Sequence, residues 1–265
     1  MGGNRRATAS RPRAHHRQLL LSRTEVRKTS FLVKHASGYD TKTLRFYGGQ
    51  DPRDLPAYTV PDVAKAAGIG ADTLRRWLKP AAGFPALIRP ADPDGNVLSY
   101  TNLVEAHVLA GIRKDDQVPM RNVRIALFTL KRMSHSEHPL AQESFETNGM
   151  DLLLDICGEL VNLSQWGQGT MRDALTARLK RVRYARDGSS VYVFPTYKSE
   201  SVDRPHLVRI DPLVSFGRAT INGTGIPTWM IASLHKGGDS AESIALAYDR
   251  PQEEIEAALS YERVA

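Results

Sequence analysis

Thr73, Arg75 and Arg76 carry the first chemistry legible in this sequence. They fall in a short stretch where Leu74, Trp77 and Leu78 have the spacing of one buried helical face. A hydroxyl and two guanidiniums on the opposite face can donate to base edges or phosphates, which is the chemistry of a DNA-reading helix. Arg121 and Arg124 add to it from a later helix that opens at Pro119. In that helix Met120, Val123, Leu127 and Leu130 are expected inward. Arg121, Arg124, Lys131 and Arg132 lie within roughly a third of its circumference on the other side. A set of merely solvated arginines is the competing reading.

Other reactive residue types do not assemble into a site. His135 and His138 stand three apart, but no cysteine or third histidine follows at ligand spacing, so a polar helix end is the better account. The lone cysteine, Cys157, sits among apolar residues as a small buried hydrophobe. The glycine-rich run Ile221 to Thr228 has no Lys-Ser/Thr opening a helix behind it and so is no phosphate loop. Without a nucleophile–base pair or a carboxylate pair, the expectation is a protein that is not an enzyme and uses no cofactor or metal.

The elements that must position the arginines begin at Val60. Val60, Val63, Ala64 and Ala67 recur at i, i+3, i+4 and i+7, Pro61 stands where a first-turn proline is tolerated, and Gly68 ends the helix. The arginine helix follows the turn at Ile69-Gly70, which together make a helix-turn-helix. Leu87-Ile88-Arg89 and Asn96 to Tyr100 read as strands of a hairpin wing turning at Asp94-Gly95. Thr101 is placed to cap a helix over 102–113. Tyr58-Thr59-Val60, Leu74-Arg75-Arg76-Trp77 and Leu98-Ser99-Tyr100 together resemble the MerR-type winged helix, as an N-terminal subdomain only.

The rest of the 265 residues divides by composition. Residues 1–50 hold 11 Lys+Arg against 2 Asp+Glu, and residues 1–25 read as a disordered basic arm or an inert tail. Phe31-Leu32-Val33 and Leu44 to Tyr47 read as short strands or loops. Residues 51–132 hold 12 basic against 9 acidic residues, 133–205 hold 8 against 10, and 206–265 hold 5 against 8. The positive charge therefore belongs to the arm and the helix-turn-helix, not to the far end. Residues 140–197 read as β-rich, with strands over 144–147, 152–156 and 159–163. A helix through 151–163 is the alternative, set aside because Gly158 and flanking turn residues interrupt it. A helix over 171–180 and a hairpin around Asp187-Gly188 complete this region, and residues 195–201 form a linker.

Val208 to Pro212, Phe216-Gly217-Arg218, Ile221 to Thr228, Gly237 to Ser240, Ile244-Ala245, Tyr248, Ile255, Ala258-Leu259 and Tyr261 resemble the C-terminal domain of VapB-like antitoxins. Ala219 and Gly225 depart from that pattern, which commonly has proline and arginine there. The segment itself reads as three short helices, capped at Thr228 and Ser240 and opened at Pro251, with Ile244, Leu246-Ala247 and Tyr248 inward in the second. It has a helix-turn-helix shape but the wrong charge for DNA.

The expected architecture is α+β in four parts. A basic segment spans 1–50, a winged helix-turn-helix 51–133, a β-rich middle domain 140–197, and a small helical domain 206–265. The resemblance implies an antitoxin that meets a PIN-like ribonuclease toxin. With the helix-turn-helix, the chain is expected to bind operator DNA in the cytoplasm as a homodimer, and Arg263, the basic residue close to the chain end, is the candidate toxin contact. The alternative is a MerR-like transcription regulator with no toxin partner. No apolar run is long enough to span a bilayer, and one cysteine fits a reducing compartment.

Overall fold

Thr59 starts the first long-range element by a reciprocal cap. Its side chain accepts from the Asp62 N–H while the Asp62 carboxylate accepts from the Thr59 N–H. The computed structural model describes residues 39–263 except 82, 95, 114–117, 135, 162–164 and 198–205. Expectations for residues 1–38, including the basic arm and the run at Phe31, lie outside the described residues. Among the described residues ten helices run in order: α1 Thr41–Phe46, α2 Val60–Ala67, α3 Ala71–Trp77, α4 Tyr100–Arg113, α5 Met120–Ser134, α6 Met150–Val161, α7 Gln165–Leu179, α8 Thr228–Lys236, α9 Ala241–Tyr248 and α10 Gln252–Arg263. Four short strands, β1 Val182–Tyr184, β2 Ser190–Val193, β3 Val208–Ile210 and β4 Ala219–Ile221, form one antiparallel sheet in the order β1-β2-β3-β4. The class is α+β, as expected.

α2 and α3 form the expected helix-turn-helix. Gly68 ends α2 at φ 69°, a left-handed conformation that costs glycine least. A side chain there would also put its Cβ 2.3 Å from the Thr196 carbonyl oxygen. α4 is buried on nearly all sides, with Leu103, Val104, Ala106, Val108, Leu109 and Ile112 almost inaccessible, so it serves as the central pillar. Its cap is Ser99 rather than Thr101. The Ser99 hydroxyl accepts from the Asn102 N–H, and the Asn102 side chain accepts from the Ser99 N–H. Thr101 instead donates to the Arg53 carbonyl and the Asp54 carboxylate.

The expected secondary structure differs from the observed at three places. Leu44 to Phe46 lie in α1, a helix capped by Asp40, not in a strand. The wing is shorter than a hairpin of 87–89 with 96–100. Asp92 and Val97 exchange both backbone hydrogen bonds, while Leu98 pairs with Tyr58. Leu87 and Ile88 turn inward and donate to the Trp77 carbonyl. The middle region is mostly helical: a π-helical turn at Phe145–Gly149 runs into α6, and α7 follows. The only strands among its described residues are those of the hairpin β1–β2 around Asp187-Gly188. Met150, Leu153, Leu154 and Cys157 are buried, a spacing of i, i+3, i+4 and i+7, and that packing outweighs the cost of roughly 1 kcal/mol for Gly158 inside a helix.

The sheet joins this middle region to the C-terminal segment, because β2 of the one pairs with β3 of the other at Val193 and Ile210. Ile221, Ile231, Ile244, Ile255, Ala258 and Leu259 form the C-terminal core. In α9 the inward residues are Ile244 and Ala245. Leu246, expected inward, is 85% exposed, because the short helix presents only one face to α8 and α10. Ser240 caps α9 by accepting from Ser243 N–H. Thr228 is not a cap: its hydroxyl donates to Ala219 O and to Glu262. No helix among the described residues is long and apolar enough to cross a membrane.

Candidate nucleic-acid interface

Leu74 and Trp77 bury one side of α3 and so fix what the other side presents. Arg75 and Arg76 are exposed and Thr73 is half-buried. At rest both guanidiniums are held within the helix: Arg75 donates to the Asp72 carboxylate at 2.6 Å, and Arg76 to the Thr73 hydroxyl at 3.1 Å. Pairs this exposed are weak, so a phosphate or a base edge exchanges with them at little cost.

α5 supplies the opposite wall. A cleft of about 460 Å³ lies between the helices, lined by Thr73, Arg76, Trp77, Lys79, Met120 and Arg121 among others. The structure thus brings Thr73, Arg76 and Arg121 to one cleft, with Arg75 beside Arg76 on the exposed side of α3. Lys79, which sequence reasoning passed over, joins them. The signal available for it was its place one residue beyond the buried face of the arginine helix. The wing at Asp92 and Val97 is braced against α4, since Asn102 accepts from Ala91 N–H and donates to Arg89 O.

Arg124 also lines this cleft, but its guanidinium is already engaged and is not offered to a ligand. Its residue is only 7% exposed, and the guanidinium donates to Pro85 O at 2.8 Å, Arg76 O at 3.1 Å and Lys79 O at 3.2 Å. Two of those carbonyls, of Arg76 and Lys79, stand at the C-terminal end of α3, where a helix lacks internal donors and its dipole favours a cation. Arg124 is therefore the strut that orients the arginine helix. The sequence grouped it with Arg121 because the two are about 60° apart on α5, and the boundary between inside and outside falls between them.

Arg263 is exposed in the last turn of α10. It is not among the residues lining the second cleft, which α2 and the C-terminal segment share. His138 contacts the buried carboxylate of Glu105 at 3.2 Å. Burial alone would lower the His138 pKa, but the pairing with Glu105 outweighs it and raises it. Among the described residues no three His, Cys, Asp or Glu come together as a metal site would require. Buried His107 is kept neutral, its pKa depressed by burial and by Arg178.

Residues 208–261 match a family described as a protein of unknown function, DUF433. No curated protein matches this chain. Among solved structures, the X-ray crystal structure of Rv2018 from Mycobacterium tuberculosis is similar. It has a TM-score of 0.60 at 18% sequence identity and covers 77% of this chain and 98% of that chain. At that identity the likeness is one of fold. The DUF433 match begins at β3 and ends in α10, so the family segment is the C-terminal half-sheet with its three helices.

Proposed function

We propose that this chain is a non-enzymatic, cytoplasmic antitoxin. It binds the operator of its own gene through α2 and α3, as a homodimer, and neutralises a PIN-like ribonuclease encoded beside it. The observation that carries the DNA-binding half is the convergence of cations from two helices: Arg75 and Arg76 from α3, Lys79 just beyond it, and Arg121 from α5 across the cleft. The toxin-binding half rests only on the resemblance of sequence motifs in residues 208–261, the segment that matches DUF433, to VapB-like antitoxins. A free-standing MerR-like regulator is less well supported. Such a protein runs on into a long dimerising helix, whereas α5 stops at Ser134 and the chain turns back through Pro139–Ala141.

The test for DNA binding is the variant in which Arg75 and Arg76 are both alanine, titrated with DNA from upstream of its own gene. Affinity should fall, and the slope of log K against log salt should become shallower by roughly one for each phosphate that is no longer neutralised. A folded double variant with unchanged affinity and slope would remove the assignment. Co-expression with the product of the adjacent gene tests the other half.

A further inference from the structure

Three consecutive residues after β3 have left-handed backbones: Ser215 at φ 49°, Phe216 at φ 56° and Gly217 at φ 76°. Such a conformation is strained for serine and phenylalanine and persists only where the surroundings enforce it. They do so here. Gly217 O accepts from the buried Tyr58 hydroxyl at 2.9 Å, and a Cβ at Gly217 would sit 2.2 Å from that oxygen. The Ser215 hydroxyl donates to Gly225 O at 2.8 Å. The outcome of this enforced turn is a phenylalanine held 81% exposed, with Trp229 nearby at 45%.

Phe216 and Trp229 both line a cleft of about 550 Å³ whose other wall includes Asp62 and Lys65 of α2 and Glu262 of α10. The charges within it are unequal in their engagement. Lys65 and Glu262 pair at 2.7 Å, and Asp62 is held by Thr59. Arg218 lies over the Trp229 ring at 5.7 Å and has no carboxylate partner among the described residues. An exposed phenylalanine, tryptophan and arginine together are the residue types that dominate protein interfaces. Asp62 and Glu262 are already engaged within the cleft, which leaves Arg218 as the charge that a partner meets beside the rings. An apolar side chain next to a carboxylate on a protein surface complements that arrangement.

We propose that Phe216, Arg218 and Trp229 form the docking surface for a protein partner. The partner lays an apolar side chain against the two rings and a carboxylate against Arg218. The identity of the partner, the PIN-like product of the adjacent gene, rests on the antitoxin reading above. This places the partner contact at the cleft rather than at Arg263. Because Tyr58 and Lys65 of the winged helix also line the cleft, the docked partner touches the DNA-reading half directly.

The experiment is calorimetric titration of the purified full-length chain with the purified adjacent gene product, for wild type and for Phe216→Asn, Arg218→Glu and Arg263→Glu. Asparagine tolerates the left-handed backbone, so Phe216→Asn removes the ring without demanding a new fold, and its melting temperature checks this. Phe216→Asn and Arg218→Glu should each weaken binding about 30-fold or more, and Arg263→Glu should match wild type. If the first two variants bind like wild type, the surface is wrong while the antitoxin reading stands. If wild type does not bind the adjacent product, both fall. Two further results would overturn the proposal. One is a wild-type dimer that Phe216→Asn dissociates without altering partner affinity, which would seat a second copy in the cleft. The other is a single-stranded oligonucleotide whose binding alone depends on Phe216.

Discussion

Replacing Arg124 by alanine separates a strut from a DNA contact. The side chain makes three hydrogen bonds to carbonyls at 2.8, 3.1 and 3.2 Å from an almost buried position. Hydrogen bonds from a charged group contribute about 1.5–3 kcal/mol each, and orphaned acceptors cost more. The three come from one guanidinium, one from Nη1 and two from Nη2, and are not additive, and water entering the neighbouring cleft recovers part of the deficit. A net destabilisation of about 3 kcal/mol follows, equivalent to roughly 6–12 °C in melting temperature for a chain of this size. Urea denaturation and thermal melts measure it directly. DNA affinity should also fall, because α3 is no longer anchored. The salt dependence of binding should keep its slope, since every phosphate stays neutralised as before. Arg121→Ala should do the reverse, leaving stability within about 0.5 kcal/mol and reducing the slope by about one. An Arg124→Ala protein that melts like wild type but binds DNA with a shallower slope would show that the guanidinium faces DNA and that the strut assignment is wrong.

Gly68→Ala should cost about 2–4 kcal/mol in urea denaturation, because the left-handed backbone and the Thr196 carbonyl both reject a side chain; a neutral substitution would contradict the geometry. His138 has a pKa raised in the folded state by Glu105, so its contribution to stability is complete below about pH 6.5 and is lost as pH rises through the folded value. His138→Gln should therefore be less stable than wild type at pH 5.5, with the gap closing towards pH 8.5, and a gap that is constant with pH would exclude the linkage. The Cys157 thiol is fully buried and pushed up to about 11 by desolvation. It should resist alkylation at pH 8 until the protein unfolds, and rapid labelling of the native protein would refute this.

The parts of the fold governed by local rules were legible in the sequence. Pro61 and Gly68 mark the ends of α2, Ser240 marks the start of α9, and Asp187-Gly188 marks the hairpin, because each acts on neighbouring backbone. The middle region was misread for a tertiary reason. Gly158 and Asn148-Gly149 are turn signals in isolation, but the face made by Met150, Leu153, Leu154 and Cys157 is buried and overrides them. That helical spacing is present in the sequence, offset from the i, i+4 pair Leu152 and Ile156, both of which the structure leaves half-buried. The site was half legible for the same reason. Periodicity placed Thr73, Arg75 and Arg76 correctly on an outer face. It had no means of telling that Arg124 would meet carbonyls 39 to 48 residues away. Nor does any local pattern announce that Tyr58 would bond to Gly217, 159 residues on.

The single antiparallel sheet has a consequence for how this chain can be divided. β3 and β4 belong to the segment that matches DUF433, yet the outer edge of β3 is closed by β2 from the preceding region. Producing the two sides of residues 197–206 as separate fragments would leave two raw edges, each with unpaired amides and carbonyls ready to recruit a foreign strand. One outcome is aggregation and another is exchange, in which β3 of one molecule closes β2 of a second. The C-terminal segment is thus a graft that needs a host strand. Wherever it stands in a different protein, some other segment is expected to occupy the place that β2 fills here.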